Sequence, residues 1–84
     1  MKIETALDFQ DVSIALKRDI QSAGYNPDLI KMLKNIETMV TDLSKLEVTA
    51  RRIQKFSYTV DLVNKINASI DRLEKLILMA QLMR

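Results

Sequence analysis

The chain of 84 residues contains no cysteine, no histidine and no tryptophan, and it has one glycine and one proline. Without cysteine there is no disulfide scaffold and no thiolate zinc site. Without histidine the usual general base and the commonest metal ligand are missing as well. A single glycine excludes the phosphate-cradling P-loop and the glycine-rich dinucleotide fingerprint, both of which need several. The eleven acidic residues are spread singly along the chain, the distribution of solvated helix surface rather than of paired catalytic carboxylates. The chain is therefore expected to be a non-enzyme with no cofactor and no metal.

Low glycine and proline, with 5% aromatic residues, also disfavour a β fold, which needs turn formers and β-branched or aromatic strands. Hydrophobic residues make up 48% and charged residues 29%, so the composition is that of a folded chain rather than a disordered one. No stretch approaches the roughly 20 apolar residues of a membrane span. The first ten residues, MKIETALDFQ, carry acids and lack the apolar run of a secretory signal, so a cytoplasmic location is expected. Net charge is +2, too small to imply a polyanionic partner by itself. It is unevenly placed: residues 1–28 hold three basic and five acidic side chains, residues 29–56 six and three, and residues 57–84 four and three.

The clearest local signal is SAGYNPDLI, residues 22–30. Gly24 suits the left-handed position just past a helix end, with Lys17 and Arg18 near that end. Asn26 reads as the next N-cap, Pro27 as the first helical residue and Asp28 as a first-turn acid. Tyr25 and Ile30 have the spacing of a hydrophobic staple. Upstream, Asp8 and Asp11 resemble an N-cap and its acidic third residue, followed by Phe9, Val12, Leu16, Ile20 and Ala23 at helical spacing. Downstream, Leu29, Leu33, Ile36, Val40 and Leu43 alternate steps of four and three, a seam expected to hold the subunit together as core or oligomer contact. It runs on with shorter steps through Leu46, Ala50, Ile53 and Phe56, and resumes from Val60 through Val63, Ile66, Ile70, Leu73, Ile77 and Ala80. The stretch KFSYTVD between them weakens helix.

The expected architecture is all-α: one helical domain over 1–84, a helical hairpin extended to a three-helix bundle or coiled-coil-like assembly. Helix 1 is placed at about 8–23, a turn at 24–26, helix 2 at about 27–56, a bend at 57–59 and helix 3 at about 60–83. The alternative is one unbroken helix over 27–83, about 85 Å long, which would persist only inside an oligomer.

Two features bear on partners. Lys45, Arg51, Arg52 and Lys55 form the densest basic patch and are the candidate contacts to a nucleic-acid backbone, with Phe56 and Tyr58 available to stack on bases. The plainer reading is a solvated flank in which Glu47 pairs with Arg51 one turn on. The joint at 22–30 also has the outline of a DNA-reading helix–turn–helix. Its second helix, however, exposes only Asp28, Lys31, Lys34 and Asn35 early on, a thin set for reading bases.

The second feature is the end, LEKLILMAQLMR. The polar stripe Asp61, Lys65, Ala68, Arg72, Lys75 continues onto Met79 and Leu82, and Asp71 is followed seven residues on by Leu78. Because the opposite face is already apolar, the last two turns are hydrophobic all round, and such a helix is covered all round. Leu76, Leu78, Met79, Leu82 and Met83 are therefore the candidate partner-binding residues. The expected cover is a second copy of the chain, another protein, or both. A membrane surface is disfavoured, because the end has no aromatic residue and only Arg84 as a flanking cation.

An Asn-Pro turn, NPDL at residues 26–29, in a cysteine-free, all-helical chain of about 80 residues resembles the needle and inner-rod subunits of type III secretion systems. The resemblance implies a helical hairpin that polymerises through its terminal helices, and so an assembly subunit. In this chain the turn falls in the first third, which leaves a longer second arm than that pattern has. The favoured expectation is a protein–protein interaction module, such as an adaptor, a chaperone-like protein or an anti-factor regulator.

Overall fold

Each apolar stripe of the sequence lies on its own helix in the computed structural model, which describes residues 1–83. Helix α1 spans Phe9–Ser22, α2 spans Pro27–Ile53 and α3 spans Val60–Leu82. Single turns of 3-10 helix, Ala6–Asp8 and Phe56–Thr59, precede α1 and α3. The result is an all-α three-helix bundle, a rod of 49 × 18 × 15 Å. Two short connections, 23–26 and 54–59, reverse the chain twice, so that α1 and α3 both run against α2. Among the described residues no helix is long and apolar enough to cross a membrane.

The first reversal follows the chemistry of its residues. Gly24 has φ 93°, a left-handed value that costs glycine nothing. Tyr25 N–H donates to the Ile20 carbonyl and Gly24 N–H to the Gln21 carbonyl, each at 3.1 Å. These are the two bonds of a Schellman ending, and they satisfy carbonyls that α1 leaves free. The Asn26 side chain then accepts from Asp28 N–H at 2.9 Å, with Pro27 in the first helical position. Lys17 and Arg18 lie further back than the last turn of α1, which holds no basic residue. Arg18 meets Asp19 at 3.8 Å instead.

The second reversal comes earlier than the sequence suggests. Helix α2 stops at Ile53, three residues short of the expected Phe56, because Gln54 turns left-handed with φ 56°. Lys55 N–H reaches the Ala50 carbonyl at 3.0 Å and Gln54 N–H the Arg51 carbonyl at 3.4 Å. This is the same Schellman pattern, built without glycine. The seam stops with it. Ala50 is buried, whereas Ile53, Phe56 and Val60 are exposed.

The start of α1 also differs. Asp8 does not cap α1; its Oδ2 reaches back to accept from Glu4 N–H at 2.9 Å and Thr5 N–H at 3.0 Å. Thr5 and Asp8 thus form a capping box on the 3-10 turn. Hydrogen bonds to the ionised form hold the Asp8 carboxyl below its ordinary value of 3.8, those from Glu4 N–H first.

The core is aliphatic apart from Phe9. Leu16, Ile20, Leu33, Ile36, Leu43, Ile66, Ile70, Leu73 and Ile77 are buried together, and no polar or charged residue is buried among the described residues. Of the seam, Leu29, Leu33, Ile36 and Leu43 are buried and Val40 is packed against them. These five serve the core of the single chain.

Ile3, ahead of any helix, belongs to the same cluster and is 1% exposed. Its N–H donates to Asn67 Oδ1 at 2.8 Å and its carbonyl accepts from Asn67 Nδ2 at 2.9 Å. Ala6 N–H donates to Glu47 Oε2 at 2.9 Å, and the Met1 ammonium lies 3.1 Å from Glu74. Residues 1–4 are therefore a strap laid along α3. Burying one isoleucine contributes about 1.5–3 kcal/mol and two neutral hydrogen bonds about 1–3 kcal/mol together. Ordering the backbone of the strap costs about 4–8 kcal/mol, so the strap sits near balance.

Two substitutions test this account. Leu73→Ala removes a fully buried side chain and is expected to lower unfolding free energy by about 2–5 kcal/mol in chemical denaturation. Gln54→Gly relieves the left-handed residue and is expected to raise the denaturation midpoint by the equivalent of about 1 kcal/mol.

Candidate functional site

Two surface regions stand out, one at each end of α3. The first is its C-terminal tip. Along most of α3 the inward face carries Ile66, Ile70, Leu73 and Ile77, all buried. The outward face carries ordinary polar residues, with Asp71 and Lys75 paired at 3.2 Å one turn apart. Two turns later that outward face turns apolar. Leu78 is 55% exposed, Met79 56%, Leu82 78% and Met83 84%. Leu76 stands apart from these four, since it is half-buried and packs against the core together with Ala80. The bundle covers one side of α3, and four of the five candidate residues lie on the other. Arg84, the expected flanking cation, lies outside the described residues.

The second region is the elbow between α2 and α3. Phe56 is 71% exposed and Tyr58 51%, on the 3-10 turn that follows the left-handed residue Gln54. Lys45, Arg51, Arg52 and Lys55 are all exposed. None forms an ion pair among the described residues. The expected partner of Arg51 is engaged elsewhere, since the Glu47 carboxylate accepts from Ala6 N–H. Arg51 and Phe56 share a cleft of about 550 Å³ with Thr5, Leu7 and Thr59. Arg51, Arg52 and Lys55 thus lie within eight residues of the chain that also hold the exposed rings of Phe56 and Tyr58.

Another concavity lies between α1 and α2 beside the first reversal. It is a groove of about 610 Å³ with Ile14, Ile20, Tyr25, Ile30 and Leu33 in its walls and Lys17, Arg18, Lys34 and Glu37 around them. Tyr25 and Ile30, spaced as a staple in the sequence, both line it, and Tyr25 is largely exposed. The groove needs both arms of the hairpin packed together, so the periodicity of neither arm alone shows it. Among the described residues no group of three or more acidic side chains is placed to hold a metal ion.

The contacts of the amino-terminal strap were also missed by periodicity, as three extended residues carry none. One signal was present: Thr5 and Asp8 match the capping-box spacing, which marks a chain entering helix at residue 5 and leaves Ile3 as an isolated aliphatic residue before it.

Comparisons with known protein families, with curated proteins and with solved structures return no match to this chain.

Proposed function

We propose that the protein is a small non-enzymatic interaction module that works by docking the apolar tip of α3, through self-association and onto another protein, as an adaptor or a chaperone-like or anti-factor regulator. The observation that carries this reading is the exposure of Leu78, Met79 and Leu82 on consecutive turns of α3 and of Met83 just past its end. Each such side chain contributes up to about 1.5–3 kcal/mol when fully removed from water, so the tip supplies the energy of an anchor. A stable interface covers about 800 Å² on each partner, more than four side chains offer. The contact therefore extends onto neighbouring polar residues, which set register and exclude wrong partners. Methionine at two of the four positions suits a surface that adapts to its partner. The mechanism is occlusion: whatever apolar helix face the tip covers is withheld from other contacts.

Replacing Leu78, Met79 and Leu82 together by Ser is expected to leave helicity nearly unchanged, since all three are more than half exposed. The same change is expected to abolish self-association in light scattering over a hundredfold concentration range, and partner capture with it. A triple variant indistinguishable from the parent chain in both assays would sink the reading.

The elbow supports a second reading, a nucleic-acid contact. Cations without ion-pair partners beside exposed aromatic rings are the combination that grips single strands, with charge on the backbone and rings on the bases. Here the expected result is retention on heparin and on single-stranded DNA that falls steeply with salt and is lost in Arg51→Ala/Arg52→Ala. Absence of retention at low salt removes this reading and leaves the first untouched.

A further inference from the structure

We propose that the groove under residues 1–4 is a binding site for an extended peptide, which the chain fills with its own amino-terminal segment as a tethered ligand. The inference rests on contacts separate from the tip and the elbow. Asn67 bonds both the N–H and the C=O of Ile3, at 2.8 and 2.9 Å. In an extended backbone these two groups of one residue point to the same side. The carbonyl oxygen and one N–H of the side-chain amide then match them as the edge of a neighbouring strand would. Reversing the amide would set donor against donor and acceptor against acceptor, so the pairing fixes its orientation.

The Asn67 side chain is free for this task because α3 satisfies its own backbone. It reads main chain and is indifferent to sequence, while the buried site of Ile3, 1% exposed, selects an aliphatic side chain. Main-chain pairing plus a pocket for one side chain is how proteins take up extended peptides. A cleft of about 520 Å³ runs alongside the strap, with Lys2, Ile3 and Glu4 forming one wall and Val60, Val63, Asn64 and Phe56 the other. The strap is also a separable piece. It lies outside every helix, and beyond the Glu4–Thr5 cap it is held by the Ile3 side chain, the Asn67 pair and the Met1–Glu74 contact.

The test uses the full chain carrying Ile3→Asp, which expels the strap, and a peptide of residues 1–8 labelled at its carboxyl end. Fluorescence anisotropy is expected to show saturable binding to this chain. Binding to the unsubstituted chain is expected to be about twofold weaker, because a tethered segment near balance occupies the groove about half the time. Adding Asn67→Leu is expected to weaken binding by about tenfold, and a peptide with Ile3→Asp should not bind. A helical Ile3→Asp chain that ignores the peptide, or binding indifferent to Asn67→Leu, overturns the proposal. Should Ile3→Asp unfold the bundle, hydrogen exchange on the unsubstituted chain decides. An Ile3 amide that exchanges well ahead of Ile70 supports a strap that opens by itself, and one that exchanges only together with Ile70 overturns it.

Discussion

A rod 18 by 15 Å across is two helices wide, and that thinness governs everything else in the molecule. Each helix can turn one stripe to the common core and must leave the rest in water. The core obeys this limit closely, with no buried polar or charged residue among those described and thirteen aliphatic residues buried in one cluster with Phe9. Hydroxyls that would trouble a helix interior stay outside and bond one turn back: Thr38 to the Lys34 carbonyl, Thr41 to Glu37 and Thr49 to Lys45. Any apolar residue beyond one stripe per helix is left on the surface. Leu78, Met79, Leu82 and Met83 are such a surplus, and so are Phe56 and Tyr58.

The strap makes the same limit visible from the other side. Helix α1, with 14 residues against 27 in α2, is too short to cover the whole length of its neighbours. Ile3 and the 3-10 turn at Ala6–Asp8 close part of that gap, and Glu47 and Asn67 satisfy the backbone that comes with them. Each polar contact here supports an apolar one. The hydrogen bonds add little net energy, but they let extended backbone lie against a helix without leaving its own polar groups unpaired.

How much of this could be read in the sequence depended on whether the signal was local. The first reversal was legible because Gly24, Asn26 and Pro27 each have a backbone preference that needs no tertiary help. The second was legible as a weak point but misplaced, because Gln54 adopts a left-handed conformation that its side chain does not advertise. The greasy tip was readable from periodicity alone, since a polar stripe that turns apolar needs no knowledge of neighbours. Leu76 shows the limit of that reading: counted with the tip, it lies half-buried on the core side. The site of Ile3 depends on contacts between distant residues. Asn67 with Ile3 spans 64 positions, and no pattern in one stretch encodes it.

The elbow and the tip occupy opposite ends of α3, a helix of 23 residues, or about 34 Å at 1.5 Å per residue. That length exceeds the reach of direct coupling between side chains, so events at one end register at the other only through the stability of the whole bundle. The rod is in effect a ruler. Two bodies seated on its ends would be held at a fixed separation without touching, and their spacing would be set by the number of turns in α3 rather than by either contact.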